Sequence, residues 1–169
     1  TVCGDRVTAR ITRKKKNFAE ARLMSVTAAS PFRIHPPCPY AVYCGGCKWQ
    51  FIEYGRQLAY KQQHVKDALD HIAMVGQVDV HPTLPSPKIF AYRNKMEFSF
   101  SDKRWLLPDE INQDQVEKNF ALGLHVPGTF NKVLDIEACL LQPDCGNRIL
   151  DDVRRYARTS HLPVYGLKT

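Results

Sequence analysis

The sequence of 169 residues has no uninterrupted apolar run long enough to cross a bilayer, and no apolar leader-like segment near its start. With no secretory signal in view, a disulfide-stapled extracellular protein is disfavoured and the six cysteines are expected to stay reduced in a cytoplasm. No glycine-rich phosphate loop follows a strand: Gly45 and Gly46 lie inside a cysteine group, while Gly123, Gly128 and Gly146 stand alone. The histidines His35, His64, His71, His81, His125 and His161 show no metal-ligand spacing, so no metal role is assigned to them. There is no internal repeat. Acidic residues are scarce at one end, with only Asp5 and Glu20 within residues 1–35.

Cysteine is concentrated where it can do chemistry. Cys38-Pro39-Tyr40-Ala41-Val42-Tyr43-Cys44-Gly45-Gly46-Cys47 is a compact C-x5-C-x2-C trio, and Cys139 stands alone far downstream. Thiolates are soft, anionic ligands, and four of them will hold an iron–sulfur cluster or a zinc ion. Zinc sites usually bring two short cysteine pairs. A trio with a remote fourth ligand is closer to the plant-type ferredoxin spacing, so the pattern favours a cluster, with zinc and disulfides as alternatives. Gly45 and Gly46 suit a chain that wraps closely around a bulky group. Cys3 and Cys145 are left over and read as small structural residues rather than nucleophiles.

Charge divides the chain. Residues 1–35 hold eight basic residues against the two acidic ones, net +6, which leaves +1 for the remainder of a chain whose total is +7. That asymmetry suggests a polyanion-binding module joined to a neutral domain, or simply a solvated, charged hairpin. Val7, Ala9 and Ile11 alternate with Arg6, Thr8 and Arg10, which predicts a strand with one apolar face. Arg13 to Asn17 would be its basic turn, and Phe18 to Val26 the returning strand. Charges at such a tip suit phosphates, and Phe18 could stack on a base. Two strands cannot close a barrel, so the hairpin is expected to dock elsewhere or to belong with strands before Thr1.

Pro31, Pro36, Pro37 and Pro39 make a stiff lead into the cysteine trio. From Glu53 to Met74 the pattern is helical, with Tyr54, Leu58, Lys61, Val65, Leu69 and Ile72 on one stripe and Gly76 placed to end it. After the proline-rich passage His81 to Pro87, Met96, Phe98 and Phe100 alternate with polar residues as a half-buried strand. Phe120 to His125 and Lys132 to Ile136 continue the β pattern. A helix is expected over Asp144 to Thr159 with Ile149, Val153 and Tyr156 inward. His161 to Thr169 begins an element that the sequence does not complete. The fold class is therefore α+β: a partial β-barrel hairpin, then a mixed α/β domain carrying the four-cysteine loop.

Several of these segments together resemble one family. Gly4-Asp5-Arg6-Val7 with its basic hairpin resembles the end of a TRAM domain, a small OB-like RNA-binding β-barrel. Cys38-Pro39 to Cys44-Gly45-Gly46-Cys47 is similar to the cluster-binding signature of the RNA uracil-5-methyltransferases (RumA/TrmA type). Gln57 to Gln62, Tyr92-Arg93-Asn94-Lys95 and Val133 to Cys139 follow in that family's order. The resemblance implies an S-adenosylmethionine-dependent enzyme that methylates position 5 of a uridine in ribosomal or transfer RNA. It implies a 4Fe-4S cluster on Cys38, Cys44, Cys47 and Cys139. Cys145 is the rival for the fourth place, and Cys139 is preferred because it follows the Lys132 to Ile136 strand as the family's ligand does. The division it suggests is 1–35 as the C-terminal part of a TRAM barrel and 36–169 as an incomplete iron–sulfur central domain.

The family's catalytic cysteine, base and S-adenosylmethionine site lie in a C-terminal Rossmann-like domain, which this sequence lacks. The chain is thus expected to be a fragment that does not methylate alone, with no catalytic residue and no S-adenosylmethionine-binding residue of its own. Its expected work is gripping RNA so that a base can be extruded. Expected contacts are Arg13, Lys14, Lys15 and Lys16 on the hairpin tip, Lys48 and Trp49 beside the trio, and Arg93 and Lys95 before the strand. Trp49 has the plainer role of partial core, and Arg93 that of an ion pair with Glu97. The cluster is read as a structural staple, because methyl transfer to uracil needs no electron transfer and the radical-enzyme spacing C-x3-C-x2-C is not met. RNA is the expected partner, with no membrane and no obligate protein partner. A non-catalytic RNA-binding module stapled by zinc or a cluster is the alternative; an electron carrier fits the basic charge poorly.

Overall fold

The computed structural model describes residues 1–76 and 78–163. It is a mixed α and β structure with two small sheets, and no closed barrel forms among the described residues. The chain makes two compact units, one from Thr1–Pro36 and Trp49–Pro85, the other from Pro37–Lys48 and Ser86–Thr169. The expectation for His161 to Thr169 lies outside the described residues from 164 onward. No helix among the described residues is long and apolar enough to cross a membrane.

In the first unit, β1 (Arg6–Lys14) and β2 (Ala19–Ala28) pair antiparallel, with register shifts at three places that twist the ribbon. The turn between them is closed by Lys15 N–H donating to the Phe18 carbonyl at 2.8 Å, and the Lys15 ammonium lies 5.2 Å from the centre of the Phe18 ring. Every residue of both strands is exposed, including Ile11. The alternation that predicts one buried face therefore describes the strand correctly but not its burial, since two strands have no third layer to cover them.

Order at the base of the hairpin comes from one carboxylate. Asp5 accepts from the backbone N–H groups of Val2 at 2.6 Å and Ser30 at 2.9 Å, and from Arg33 Nε at 3.0 Å and Nη2 at 2.5 Å. The Arg33 guanidinium, aided by the Val2 and Ser30 N–H groups, holds the Asp5 carboxyl well below the usual carboxylate range. Gly4 makes the turn at φ +94°, a conformation that side chains rarely adopt. Because the folded pKa is depressed, the Asp5 contribution is complete above the unfolded carboxylate pKa near ~4 and disappears as pH falls through its lower folded value. The stability advantage of the wild type over Asp5→Asn should accordingly shrink as chemical denaturation is repeated from neutral pH down through the acid range. An advantage that does not change with pH would refute this account.

The helix α1 (Tyr54–Ala68) continues through a π-helical turn, Leu69–Ala73, and stops where Met74 takes a left-handed conformation at φ 50°. Termination thus falls at Met74, two residues before the expected Gly76. The expected apolar stripe holds only in part: Tyr54, Leu58 and Leu69 are half-buried, whereas Lys61, Val65 and Ile72 are exposed. Polar and aromatic residues on the first turns make the contacts instead. Gln57 Nε2 donates to the Trp49 and Ile52 carbonyls at 3.1 and 2.8 Å. The Arg56 guanidinium lies over Phe32 at 4.4 Å and Tyr60 at 4.7 Å, and Trp49 packs edge-on to Tyr60 and His64. Cation–π and edge contacts do the work that aliphatic periodicity was expected to do.

The second unit carries a four-stranded sheet in the order β3 (Ser99–Ser101), β5 (Ala121–His125), β6 (Val133–Asp135), β4 (Arg104–Trp105). β5 is antiparallel to both neighbours, and β4 runs parallel to β6. The expected strand from Met96 is shortened to Ser99–Ser101, whose pairing with β5 begins at Ser99 opposite Gly123. Phe120, Leu122 and Leu150 form the core, flanked by Phe98 and Ala157. The helix α2 spans Asp144–Thr159 as expected, but its buried residues are Leu150 and Arg154. Ile149, Val153 and Tyr156, expected inward, are exposed. Arg154 faces inward because three acceptors wait there: the Asp135 carboxylate and the carbonyls of Leu122 and Ile136.

Candidate metal centre and nucleic-acid contacts

The cysteine trio lies on a loop folded by its own backbone. Ala41 N–H donates to the Cys38 carbonyl at 3.2 Å, and the N–H groups of Tyr43 and Cys44 both donate to the Tyr40 carbonyl, at 3.0 and 2.8 Å. This tight winding brings Cys38 and Cys44 back toward each other despite five intervening residues. Gly45 N–H then reaches the His125 carbonyl at the end of β5, at 3.2 Å. A Cβ at Gly45 would sit 2.9 Å from that carbonyl oxygen, so only glycine permits the approach. Gly46 N–H donates to Cys44 Sγ at 3.3 Å, and a Cβ at Gly46 would touch both that sulfur and Leu124 at 3.5 Å.

Cys139 comes to the same place from the other side. It follows β6 by four residues, and Ile136 N–H, just past the strand, bonds back to the Leu122 carbonyl. The Tyr40 hydroxyl accepts from Glu137 N–H at 3.2 Å, which ties the trio loop to the residue two before Cys139. Arg93 and Ala91 donate their N–H groups to the carbonyls of Leu141 and Leu140, each at 2.8 Å. The loop is thus tied to the Cys139 segment through the Tyr40 hydroxyl, and backbone hydrogen bonds from Ala91 and Arg93 hold that segment.

Burial pushes the Cys38 thiol up, and the charges of Cys139 and Cys47 push it further. Cys44 is raised by burial and by the charges of Cys47, Cys139 and Cys38. Cys145 contributes to neither; it is exposed, as is Cys3, while the other four are half-buried. None of the six forms a disulfide. Among the described residues, no three His, Cys, Asp or Glu side chains close around a point that would hold one metal ion. Tetrahedral zinc at a Zn–S distance of ~2.3 Å would draw its sulfurs to within about 4 Å of one another. Cys38, Cys44, Cys47 and Cys139 are all soft sulfur donors, with no histidine or carboxylate in the set.

The expected RNA contacts fall on both units. Arg13 and Lys14 end β1, and Lys15 and Lys16 lie in the turn; all four are exposed. Arg13 is 3.8 Å from Glu20 in an exposed pair that constrains it little. Lys48 is exposed and Trp49 is half-buried against Tyr60 and His64. Arg93 and Lys95 are exposed, and it is Lys95, at 2.7 Å, that pairs with Glu97. Tyr40 and Asn147 were missed in the sequence. No local signal marks Tyr40 as a clamp on a residue 97 positions away, or Asn147 as a partner of Cys139.

Comparison with known proteins adds an independent line. No protein-family model matches the chain. It is 47% identical over 167 residues to a protein of Chlorobaculum tepidum named an uncharacterized RNA methyltransferase, covering 98% of this chain and 35% of that one. A protein of the same name from Bacteroides thetaiotaomicron is 45% identical over 169 residues, covering 99% of this chain and 37% of the relative. One from Gloeobacter violaceus is 33% identical over 171 residues, with 99% and 34% covered. The chain is therefore similar, over nearly all its length, to about one third of the length of proteins that bear the name RNA methyltransferase.

Proposed function

We propose that this chain is the RNA-recognition and iron–sulfur portion of an S-adenosylmethionine-dependent RNA uracil-5-methyltransferase acting on ribosomal or transfer RNA. The observation that carries the reading is the similarity of nearly the whole chain to about one third of the length of proteins named RNA methyltransferases. The Tyr40–Glu137 hydrogen bond, which ties the cysteine trio's loop to the segment carrying Cys139, supports the ligand set. The names of the relatives support the methyltransferase part, and the exposed basic hairpin supports the RNA part. In this reading residues 1–35 end a TRAM barrel and residues 36–169 belong to the central domain. S-adenosylmethionine and the reacting groups belong to the remainder of the longer protein.

Cys38, Cys44, Cys47 and Cys139 would hold a 4Fe-4S cluster. When bound, it supplies iron–thiolate bonds that join segments some ninety residues apart, closing a long loop. Arg13, Lys14, Lys15 and Lys16 would neutralise phosphates, with Lys48, Trp49, Arg93 and Lys95 as further contacts.

The test is metal and sulfide analysis of anaerobically purified chain, wild type against Cys139→Ala and Cys145→Ala, followed by titration with single-stranded RNA. About four iron and four sulfide per chain are expected, lost with Cys139→Ala and kept with Cys145→Ala. RNA affinity should fall with salt, and each of Lys14, Lys15 or Lys16 replaced by alanine should flatten that slope by about 0.7 if it meets a phosphate. One zinc and no sulfide would transfer the chain to the class of zinc-stapled, non-catalytic RNA-binding modules.

A further inference from the structure

Cys139 is held by one side chain. Asn147, in the first turn of α2, accepts the Cys139 N–H at Oδ1 over 2.9 Å and donates from Nδ2 to the Cys139 carbonyl over 3.3 Å. Both backbone polar groups of the cysteine are thereby satisfied by a single amide, in a ring that fixes its orientation. The same Oδ1 accepts from Gln142 Nε2 at 2.7 Å, and Gln142 is buried. These partners also determine which way the Asn147 amide points: two N–H groups face its oxygen and a carbonyl faces its nitrogen. Gly146 makes the arrangement sterically possible, because a Cβ there would lie 2.9 Å from Gln142 Oε1.

We propose that Asn147 is the positioning residue for the fourth thiolate: it sets the Cys139 backbone so that its sulfur joins Cys38, Cys44 and Cys47. The inference rests on the cluster reading above. Neither neighbour in size can replace the asparagine. Aspartate keeps the acceptor but sets a second oxygen against the Cys139 carbonyl, and adds negative charge beside a group of thiolates. Leucine keeps the volume and leaves the Cys139 N–H and the Gln142 amide without this acceptor. In metal sites, changing the groups that orient a ligand lowers metal affinity by roughly 10- to 100-fold.

The experiment reconstitutes the chain with ferrous iron and sulfide under anaerobic conditions and follows iron release to a chelator. Wild type, Asn147→Asp, Asn147→Leu and Leu150→Ala are compared, and the melting of each metal-free chain is recorded alongside. Leu150→Ala serves as a variant that weakens α2 packing without touching a hydrogen bond to Cys139. Both Asn147 variants should release iron at least about tenfold faster than wild type, and faster than Leu150→Ala even where the latter melts lower. Release no faster than from wild type or Leu150→Ala would overturn the positioning role while leaving the cluster reading intact. A wild type that takes up no iron and sulfide would overturn both.

Discussion

Gly123→Ala is expected to disrupt the sheet of the second unit, by about 3 kcal/mol or more. Gly123 pairs with Ser99 on one side and Asp135 on the other, in the middle of β5. A Cβ added there would lie 2.0 Å from the Leu134 carbonyl oxygen, in β6, and 3.0 Å from the backbone nitrogen of Ile136, the residue that follows β6. A flexible side chain could swing away from such a contact, but a paired strand cannot. β5 and β6 would have to separate at the point where Leu122, Val133 and Leu134 are most deeply buried. Gly76→Ala is the control, because nothing lies within 4 Å of the added carbon and the backbone is not left-handed there. Equilibrium denaturation should show a lower midpoint for Gly123→Ala and an unchanged one for Gly76→Ala. Equal midpoints for the two variants would contradict the close approach of β5 to β6.

Arg154→Met should be comparably damaging, at about 3–5 kcal/mol, because it breaks a nearly buried ion pair from one side. Arg154 and Asp135 side chains are only 10% and 11% exposed. The guanidinium also donates to the Leu122 carbonyl at 3.0 Å and the Ile136 carbonyl at 2.5 Å, while Asp135 accepts the Leu122 N–H at 3.0 Å. Methionine matches the stem of the arginine but leaves the Asp135 carboxylate without its counter-charge and removes one donor each from the Leu122 and Ile136 carbonyls. The double variant Asp135→Leu with Arg154→Met should recover part of the loss, since no unpaired charge remains. Denaturant midpoints of both singles and the double close this cycle. A double variant as unstable as the sum of its singles would show that the pair is not coupled. Ile136 lies three residues before Cys139, so the same changes should loosen the thiol site; Arg154 is a packing residue with a consequence for function.

How much of this was legible can be followed residue by residue. The span Asp144–Thr159 of α2 was readable because Pro143 precedes the helix and Ser160 and Pro163 lie beyond its end. Its inward face was not. Hydrophobicity pointed to Ile149, Val153 and Tyr156, whereas burial follows Leu150 and Arg154. A charged residue reads as solvent-facing until its acceptors are known, and those belong to β5 and β6. α1 failed in the same way: Arg56 and Gln57 make contacts that a stripe of apolar residues was expected to make.

Local chemistry decides what a short stretch of chain can do, and it is written in the order of the residues. The sequence alone determined the hairpin with its basic turn, the helix spans, and the soft-ligand character of Cys38, Cys44, Cys47 and Cys139. Only tertiary structure decided which faces are buried, that Met74 rather than Gly76 ends the first helical segment, and that Tyr40 and Asn147 hold the two thiol-bearing segments. The physical reason is that burial and hydrogen-bond satisfaction depend on partners tens of residues away, and no local periodicity encodes them.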